Sequence, residues 1–235
     1  MTAARRYAVY LAPPADGALW RFGSAVLGYD AETGDAPAAP DIAGFDAEAW
    51  HAATAEPRRY GFHGTLKAPF RLADGASEDD LAQLMALSAA GHHAFEMPPL
   101  EVRAIGSFVA LVPAVPSPKL EDLARSAVLE LDGLRAPLSE SEIARRKPER
   151  LSARQLGYLE AYGYPYVLDE FRFHMTLTGP LPEPERVQAL NALTSAFAAS
   201  GADVPATVTD MALYVEEPGA RQFRLVRRFP MGAAQ

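Results

Sequence analysis

Apolar residues recur along the chain at two spacings, every second residue in some stretches and every third or fourth residue in others. The first spacing predicts β-strands, because successive side chains of a strand point to opposite faces of a sheet. The second predicts amphipathic helices, and Ser77 stands as an N-cap before an acidic first turn of one of them. Strands are therefore predicted at 7–11, 62–72, 100–112, 172–181, 207–216 and 222–229, and helices at 15–27, 45–54, 78–90, 117–131, 139–146, 152–162 and 183–199.

One nine-residue pattern occurs twice. Phe, His, Thr, Leu and Pro occupy the same positions in 62–70 and in 173–181, with the two histidines 111 residues apart. Each copy is followed by a predicted helix and then by paired strands, so the chain carries a long internal repeat. We therefore expect an α+β fold that is bilobal and pseudo-twofold symmetric, with two antiparallel sheets flanking a central cleft and helices outside. A single bilobal domain is expected over 1–235, with a helical insertion at 113–169 between the repeats.

Composition and charge restrict the classes of partner. The 235 residues include no cysteine, which excludes disulfides and thiolate metal ligands. No long apolar segment follows Arg5 and Arg6, and no run approaches the ~20 apolar residues of a membrane span, so a cytoplasmic protein without a membrane partner is expected. The formal charge of −8 argues against long nucleic acid, which needs a basic surface, but allows a small anion in a local basic pocket. No oligomeric state follows from the sequence, which is compatible with a monomer.

The polar residues of the two copies suggest chemistry. His63 and Thr65 share one face of a predicted strand, as do His174 and Thr176, while their apolar neighbours face the other way. If the lobes are symmetric, both pairs face one cleft. A neutral imidazole takes a proton from water or a ribose hydroxyl, and a protonated one donates to a leaving alkoxide. The threonines would donate to non-bridging phosphate oxygens. We therefore predict that these four residues are catalytic on a phosphodiester, without a metal or other cofactor.

The same alternation extends the candidate site to residues that would bind the substrate. Lys67 and Thr178 each follow their histidine by four positions, and Arg172 precedes His174 by two, so all three are expected on the cleft face. Arg146 lies in the basic stretch 145–150. That stretch fits either a clamp on a substrate phosphate or a solvated helix end.

Other interpretations compete with this one. A lone His-x-Thr is usually structural, but a duplicated core would retain only apolar positions, and this repeat retains His and Thr on the polar face. A zinc site needs a third ligand, and neither strand offers a carboxylate on that face. An enzyme of RNA ends, either a cyclic phosphodiesterase or a ligase, is disfavoured by the charge. A module that binds a phosphorylated metabolite without turnover remains open.

The motifs His63-Gly64-Thr65-Leu66 and His174-Met175-Thr176-Leu177 resemble the signature of the 2H phosphoesterase superfamily, which includes RNA 2′,3′-cyclic phosphodiesterases and 2′-5′ RNA ligase-like proteins. The resemblance implies a bilobal α+β fold and opening of cyclic phosphates without a metal. The longer stretches 60–70, 145–151 and 170–179 resemble the branch encoded near phosphonate-utilisation genes. That resemblance implies a small phosphorylated substrate, and a phosphoribosyl cyclic phosphate is the attractive candidate.

Overall fold

The computed structural model describes residues 4–232. Its strands are β1 (Arg6–Leu11), β2 (Gly64–Phe70), β3 (Phe95–Glu96), β4 (Leu100–Ile105), β5 (Phe108–Pro113), β6 (Met175–Thr176), β7 (Thr207–Val208), β8 (Asp210–Glu216) and β9 (Arg224–Pro230). Its α-helices are α1 (Ala18–Leu27), α2 (Ala47–Ala53), α3 (Ala55–Arg58), α4 (Glu78–Ala90), α5 (Pro118–Leu131), α6 (Glu140–Arg145), α7 (Ala153–Tyr162) and α8 (Glu183–Ala199). The expected α+β class is confirmed. No helix in this range is long and apolar enough to cross a bilayer.

The large sheet is antiparallel throughout and has the strand order β4-β5-β6-β2-β1-β8-β9, while β3 and β7 form a separate two-stranded sheet. The two sheets expected from the repeat are therefore the two halves of one sheet. They meet where β2 pairs with β6, with Gly64 opposite Met175. The cleft lies above this central join instead of between separate sheets.

The repeat units exchange strands between these halves. Helix α4 follows β2 and packs against β8 and β9, in the same half of the sheet as β2. The strands that come next, β4 and β5, cross to the other half and pair beside β6. Likewise α8 packs against β4 and β5, and the following strands β8 and β9 return beside β1. Each half is thus built from both copies of the repeat.

Strand β1 is buried on both faces because it lies inside the sheet. Tyr7, Val9 and Leu11 belong to the main core, together with buried residues of α4, α5 and α8. Ala8 and Tyr10 belong to a smaller cluster on the opposite face. The cleft opens on that second face, since Tyr10 is part of its wall.

The segment 113–169 contains α5, α6 and α7. Helix α5 is part of the core, because its apolar side is buried against β2 and α4. Helices α6 and α7 each begin with a capping box, in which a serine and a residue three positions later satisfy one another's backbone amides.

Strand β6 is much shorter than predicted. The amides of Leu177 and Thr178 both donate to the carbonyl of Val109, so the regular ladder ends there.

Candidate active site

The pairing of Gly64 with Met175 brings the two polar pairs together. If this antiparallel register is continued by one residue in each direction, Thr65 comes next to His174 and His63 comes next to Thr176, with each histidine just before the first residue of its strand. Residues that face each other across antiparallel strands project from the same side of the sheet, with Cβ atoms roughly 4.5–5.5 Å apart. The apolar neighbours Phe62, Leu66, Phe173, Met175 and Leu177 are buried in the main core on the other side, as the alternation predicts.

All four side chains line one cleft of about 290 Å³. Aromatic rings and two arginines complete much of the wall, and a neighbouring cavity shares Thr65 and His174 with the cleft. Residues that the sequence patterns did not indicate as site residues are Arg6, Tyr10, Glu56, Pro57, Tyr60, Ala68, Pro69, Phe108, Gly179 and Pro180.

Both imidazoles are held in the same way. Nδ1 of His63 donates to the carbonyl of Gly61 at 2.8 Å, and Nδ1 of His174 donates to the carbonyl of Arg172 at 2.8 Å. A carbonyl oxygen only accepts, so the hydrogen of the neutral ring sits on Nδ1 and Nε2 carries the lone pair. Nε2 of His63 accepts from the Thr65 hydroxyl at 3.2 Å. Each ring therefore presents a basic nitrogen on the side away from its backbone anchor.

Gly61 is required for one of these anchors. Its φ of +73° lies in the left-handed region, which favours glycine. A Cβ on this residue would also lie 2.6 Å from the Cβ of Ala31. The carbonyl that orients His63 thus depends on a backbone conformation that other residues adopt only with strain.

The surroundings of the two histidines differ. The ring of Tyr10 stacks on His63 with centroids 3.7 Å apart and planes 18° from parallel, and the rings of Tyr60 and Tyr214 lie 6.3 Å and 6.2 Å away. His174 has a tilted contact with Phe108 at 5.7 Å. The enclosure of His63 is therefore the tighter of the two.

This enclosure changes the acidity of both rings. The pKa of His63 is lowered to about 4, mainly by desolvation; the hydrogen bond to Gly61 opposes this shift, and the nearby His174 adds to it. Desolvation also lowers the pKa of His174, against the Arg172 hydrogen bond. Both rings are consequently neutral at neutral pH in this structure.

A family model described as a protein of unknown function (DUF1045) matches residues 65–224, which is more than half of the chain. This chain belongs to that family. The matched range contains Thr65, His174 and Thr176, and His63 lies two residues before its start.

Two curated relatives carry the name ribose 1,5-bisphosphate phosphokinase PhnN. The protein of Janthinobacterium sp. (strain Marseille) is 37% identical over 219 residues, which cover 92% of this chain and 48% of the relative. The protein of Laribacter hongkongensis (strain HLHK9) is 37% identical over 228 residues, which cover 94% of this chain and 51% of the relative. This DUF1045 chain thus spans about half the length of the curated relatives it matches.

Similar solved structures include E. coli LigT complexed with 3′-AMP, with a TM-score of 0.45 and 15% identity over 98% of this chain and 99% of that chain. A structure described as a phosphoesterase has a TM-score of 0.41 and 15% identity over 98% of this chain and 99% of that chain.

The structure of this DUF1045 protein places Lys67 away from the cleft, so that prediction was wrong. Tyr10 pairs with Thr65 and Val9 pairs with Lys67, so one step along β1 matches two steps along β2. This bulge resets the alternation and turns Lys67 to the face of Val9. Its Nζ donates to Asp132 Oδ1 at 2.8 Å and to the carbonyl of Val128 at 3.3 Å, and only 3% of the residue is exposed.

Arg172 was also expected in the cleft, and the structure places it in the wall of the neighbouring cavity. The backbone before β6 is not part of a strand, and the alternation is not maintained as far back as Arg172. The exposed guanidinium donates to the carbonyls of Asp169 and Phe171. Its contribution to the site comes through its own carbonyl, which anchors His174.

Thr178 does lie at the wall of the cleft, but its side chain has no exposed surface. Its Oγ1 accepts the amide hydrogen of Val109 at 3.0 Å. The hydroxyl thus secures the irregular end of β6 to β5, and the predicted contact with a phosphate is not what the structure shows.

Arg146 lines the cleft, as the interpretation of 145–150 as a clamp on a substrate phosphate requires. Its guanidinium lies over the ring of Tyr164, 4.8 Å from the centroid. Its neighbours Arg145 and Lys147 are exposed. Within residues 4–232, no group of three His, Asp or Glu side chains is arranged to hold a metal ion.

Proposed function

We propose that this protein is a phosphoesterase that hydrolyses a cyclic phosphodiester on a small ribosyl or nucleoside substrate. The observation that carries the proposal is the arrangement of the two histidines. Each is anchored through Nδ1 to the carbonyl two residues before it, each presents Nε2, and both line one cleft together with Thr65 and Thr176, on either side of the pairing of Gly64 with Met175. A general base and a general acid on one phosphate need such a pair.

In the proposed reaction, the neutral Nε2 of one histidine takes a proton from water as the water oxygen bonds to phosphorus. The bond from phosphorus to one ribose oxygen breaks, and the second histidine donates the proton on its Nε2 to that oxygen. The products are a phosphomonoester and a free hydroxyl. One histidine ends protonated and the other neutral, so proton exchange with solvent restores the starting state.

The asymmetric surroundings support one assignment of roles. His63, stacked under Tyr10 and with its pKa lowered to about 4, is the ring that stays neutral and acts as the base. His174 is less enclosed, and the charge of a bound phosphate raises the pKa of an adjacent imidazole, which suits it to act as the acid. Thr65 already donates to His63, whereas Thr176 makes no side-chain hydrogen bond within residues 4–232. Thr176 is therefore the hydroxyl available to a non-bridging phosphate oxygen.

The charge of the protein and the volume of the cleft both support a small substrate. A chain with a formal charge of −8 and a cleft of about 290 Å³ suits a small anion better than a long nucleic acid. The name of the curated relatives refers to a ribose that bears phosphates, which agrees with a ribosyl substrate. Since this chain spans about half their length, we propose for it the phosphodiester chemistry and not the phosphokinase activity of that name.

The test is incubation of the purified protein with 2′,3′-cyclic nucleotides and ribose cyclic phosphates in the presence of EDTA. We expect conversion to phosphomonoesters, and a loss of about 10²–10⁴-fold in His63→Ala and in His174→Ala. His51→Ala is the matched control, because His51 is an exposed residue of α2 that does not line the cleft. Full activity in both site variants, or no turnover by the wild-type protein over hours, contradicts the proposal.

Two further assays address the alternatives. Filter binding with tRNA at physiological salt detects an RNA-directed protein, and we expect no binding. An assay with ATP, Mg²⁺ and ribose 1,5-bisphosphate detects a phosphokinase, and we expect no phosphoryl transfer by this chain.

A further inference from the structure

We infer that Arg146 binds a second anionic group of the substrate, a phosphomonoester at the far end of the ribose from the cyclic phosphate. This inference rests on the proposed function and narrows its substrate to a ribose cyclic phosphate that carries a further phosphate. It begins from how positive charge is distributed around the cleft.

The cations that line the cleft are Arg6 and Arg146. Arg6 is held by Glu216, to which its Nε donates at 2.7 Å, and Arg59 donates to the same carboxylate. Lys67 and Arg172 face elsewhere. In the part of the chain that the structure describes, no carboxylate pairs with Arg146 and no hydrogen bond satisfies its guanidinium. Arg146 is therefore a half-buried positive charge that no carboxylate of the described residues neutralises.

The contact with Tyr164 leaves this arginine available to a ligand. A guanidinium stacked on a ring is oriented by its flat face, and its N–H groups point outward from the edge. Those edges match the oxygens of a phosphate with two parallel hydrogen bonds. The stack thus fixes the position of Arg146 without occupying its donors.

The position of Arg146 is also fixed from its own helix. Ser139 and Glu142 form the capping box at the start of α6. Arg71, the residue after β2, donates to Glu142 Oε2 at 2.9 Å and to the carbonyl of Pro137 at 2.7 Å. Helix α6, which ends at Arg145, is therefore tied to the strand that carries Thr65. Arg146 is held in a defined place relative to the catalytic pair.

The repeat argues that Arg146 serves a second group and not the reacting phosphate. The groups that meet the reacting phosphodiester come in duplicate, one His-x-Thr from each copy. Arg146 comes from the segment between the copies and has no counterpart in the repeat. A phosphodiester carries one negative charge, whereas a phosphomonoester carries nearly two at neutral pH. Arg146 therefore fits the phosphomonoester, which is the more highly charged group of the substrate and has no duplicate.

The experiment compares two substrates in two variants. Adenosine 2′,3′-cyclic phosphate and the same molecule with a 5′-phosphate differ only in the second anion. We expect the wild-type protein to favour the 5′-phosphorylated substrate by about 10–100-fold in kcat/KM, the effect of a charge-assisted hydrogen-bonded pair. In Arg146→Ala, we expect a higher KM for the 5′-phosphorylated substrate, so that the preference disappears. The loss of kcat/KM on the substrate without the 5′-phosphate should be at least ten times smaller. Arg145→Ala, at the exposed end of the same helix, retains the preference.

Two results overturn the inference. One is a wild-type protein without preference between the substrates, and the other is an equal loss on both substrates in Arg146→Ala, which assigns this arginine to the reacting phosphate. If neither substrate is hydrolysed, the proposed function fails, and calorimetric titration with ribose 5-phosphate then decides the inference by itself. Weaker binding in Arg146→Ala than in Arg145→Ala supports it, and equal binding contradicts it.

Discussion

Gly64 lies directly opposite Met175 where β2 meets β6, and their antiparallel pairing joins the two halves of the large sheet. The residues on either side of this pair are the two histidines and the two threonines of the candidate site. One backbone pairing therefore holds the sheet together and sets the spacing of these four side chains. A change at this pair is expected to affect stability and activity together.

Gly64→Ala tests this coupling. A Cβ at Gly64 would lie 2.5 Å from two carbons of the Phe173 ring, and Phe173 is buried. Overpacking of this kind lowers the free energy of unfolding by about 1–3 kcal/mol. Urea unfolding measures the loss, and hydrolysis of the cyclic phosphate substrate should fall with it because β2 must move from β6.

Gly157→Ala is the matched control for that substitution. Gly157 is exposed inside α7, and a Cβ there meets nothing within 4 Å. Alanine is the better helix former, so this variant should gain about 0.5–1 kcal/mol and keep its activity. Equal stability of Gly64→Ala and wild type would show that the join tolerates a side chain.

The lowered pKa of His63 predicts how stability depends on pH. The unfolded ring has a pKa near 6.5 and the folded ring about 4, so between these values the unfolded chain binds the additional proton. The free energy contributed by the neutral ring is fully present above pH 6.5. It is lost as the pH falls to about 4, by about 3 kcal/mol in total.

The measurement for this prediction is urea unfolding at several pH values, in the wild-type protein and in His63→Gln. Glutamine does not titrate, so the difference between the two proteins isolates the contribution of His63 from that of other groups. The wild-type protein should lose more stability than the variant between pH 6.5 and 4. Parallel pH profiles would mean that His63 titrates normally in the folded protein.

Tyr10 is predicted to set the acidity of His63, the proposed general base. Its ring covers one face of His63, and removal of the ring admits water to the imidazole. Tyr10→Ala should therefore raise the pKa of His63 from about 4 towards 6.5, while Tyr10→Phe, which keeps the ring, should leave it low. NMR titration of the His63 ring protons reports the pKa. An unshifted pKa in Tyr10→Ala would place the cause of the desolvation elsewhere.

Lys67 is predicted to be structural, although its position in the motif suggests a phosphate ligand. Lys67→Met keeps a long side chain in the core and leaves Asp132 paired with Arg135 at 2.9 Å, so kcat/KM should stay within about threefold of wild type. Asp132→Asn leaves a buried ammonium without its carboxylate and should lower the free energy of unfolding by about 3–5 kcal/mol. A large loss of activity in Lys67→Met at unchanged stability would restore the phosphate-binding role.

The features that the sequence determined are local ones. The period of two along a strand places His63 with Thr65 and sends Leu66 to the core, because that geometry depends only on the extended backbone. Helices α4 and α5 lie close to their predicted bounds, since N-caps and apolar spacing act within a few residues. The duplication also indicated that the two copies share one cleft.

The tertiary structure decided what depends on residues far apart in the chain. Lys67 faces the core because β2 bulges against β1, and a bulge depends on the partner strand and leaves the spacing of the motif unchanged. Tyr10 covers His63 because β1 is inserted beside β2 in the sheet. Arg146 lines the cleft, and the helix that precedes it is bonded to Arg71, a residue distant in sequence. Side-chain direction is set by pairing and packing across the fold, so sequence spacing identified the two candidate His-x-Thr pairs and the assembled sheet determined their neighbours.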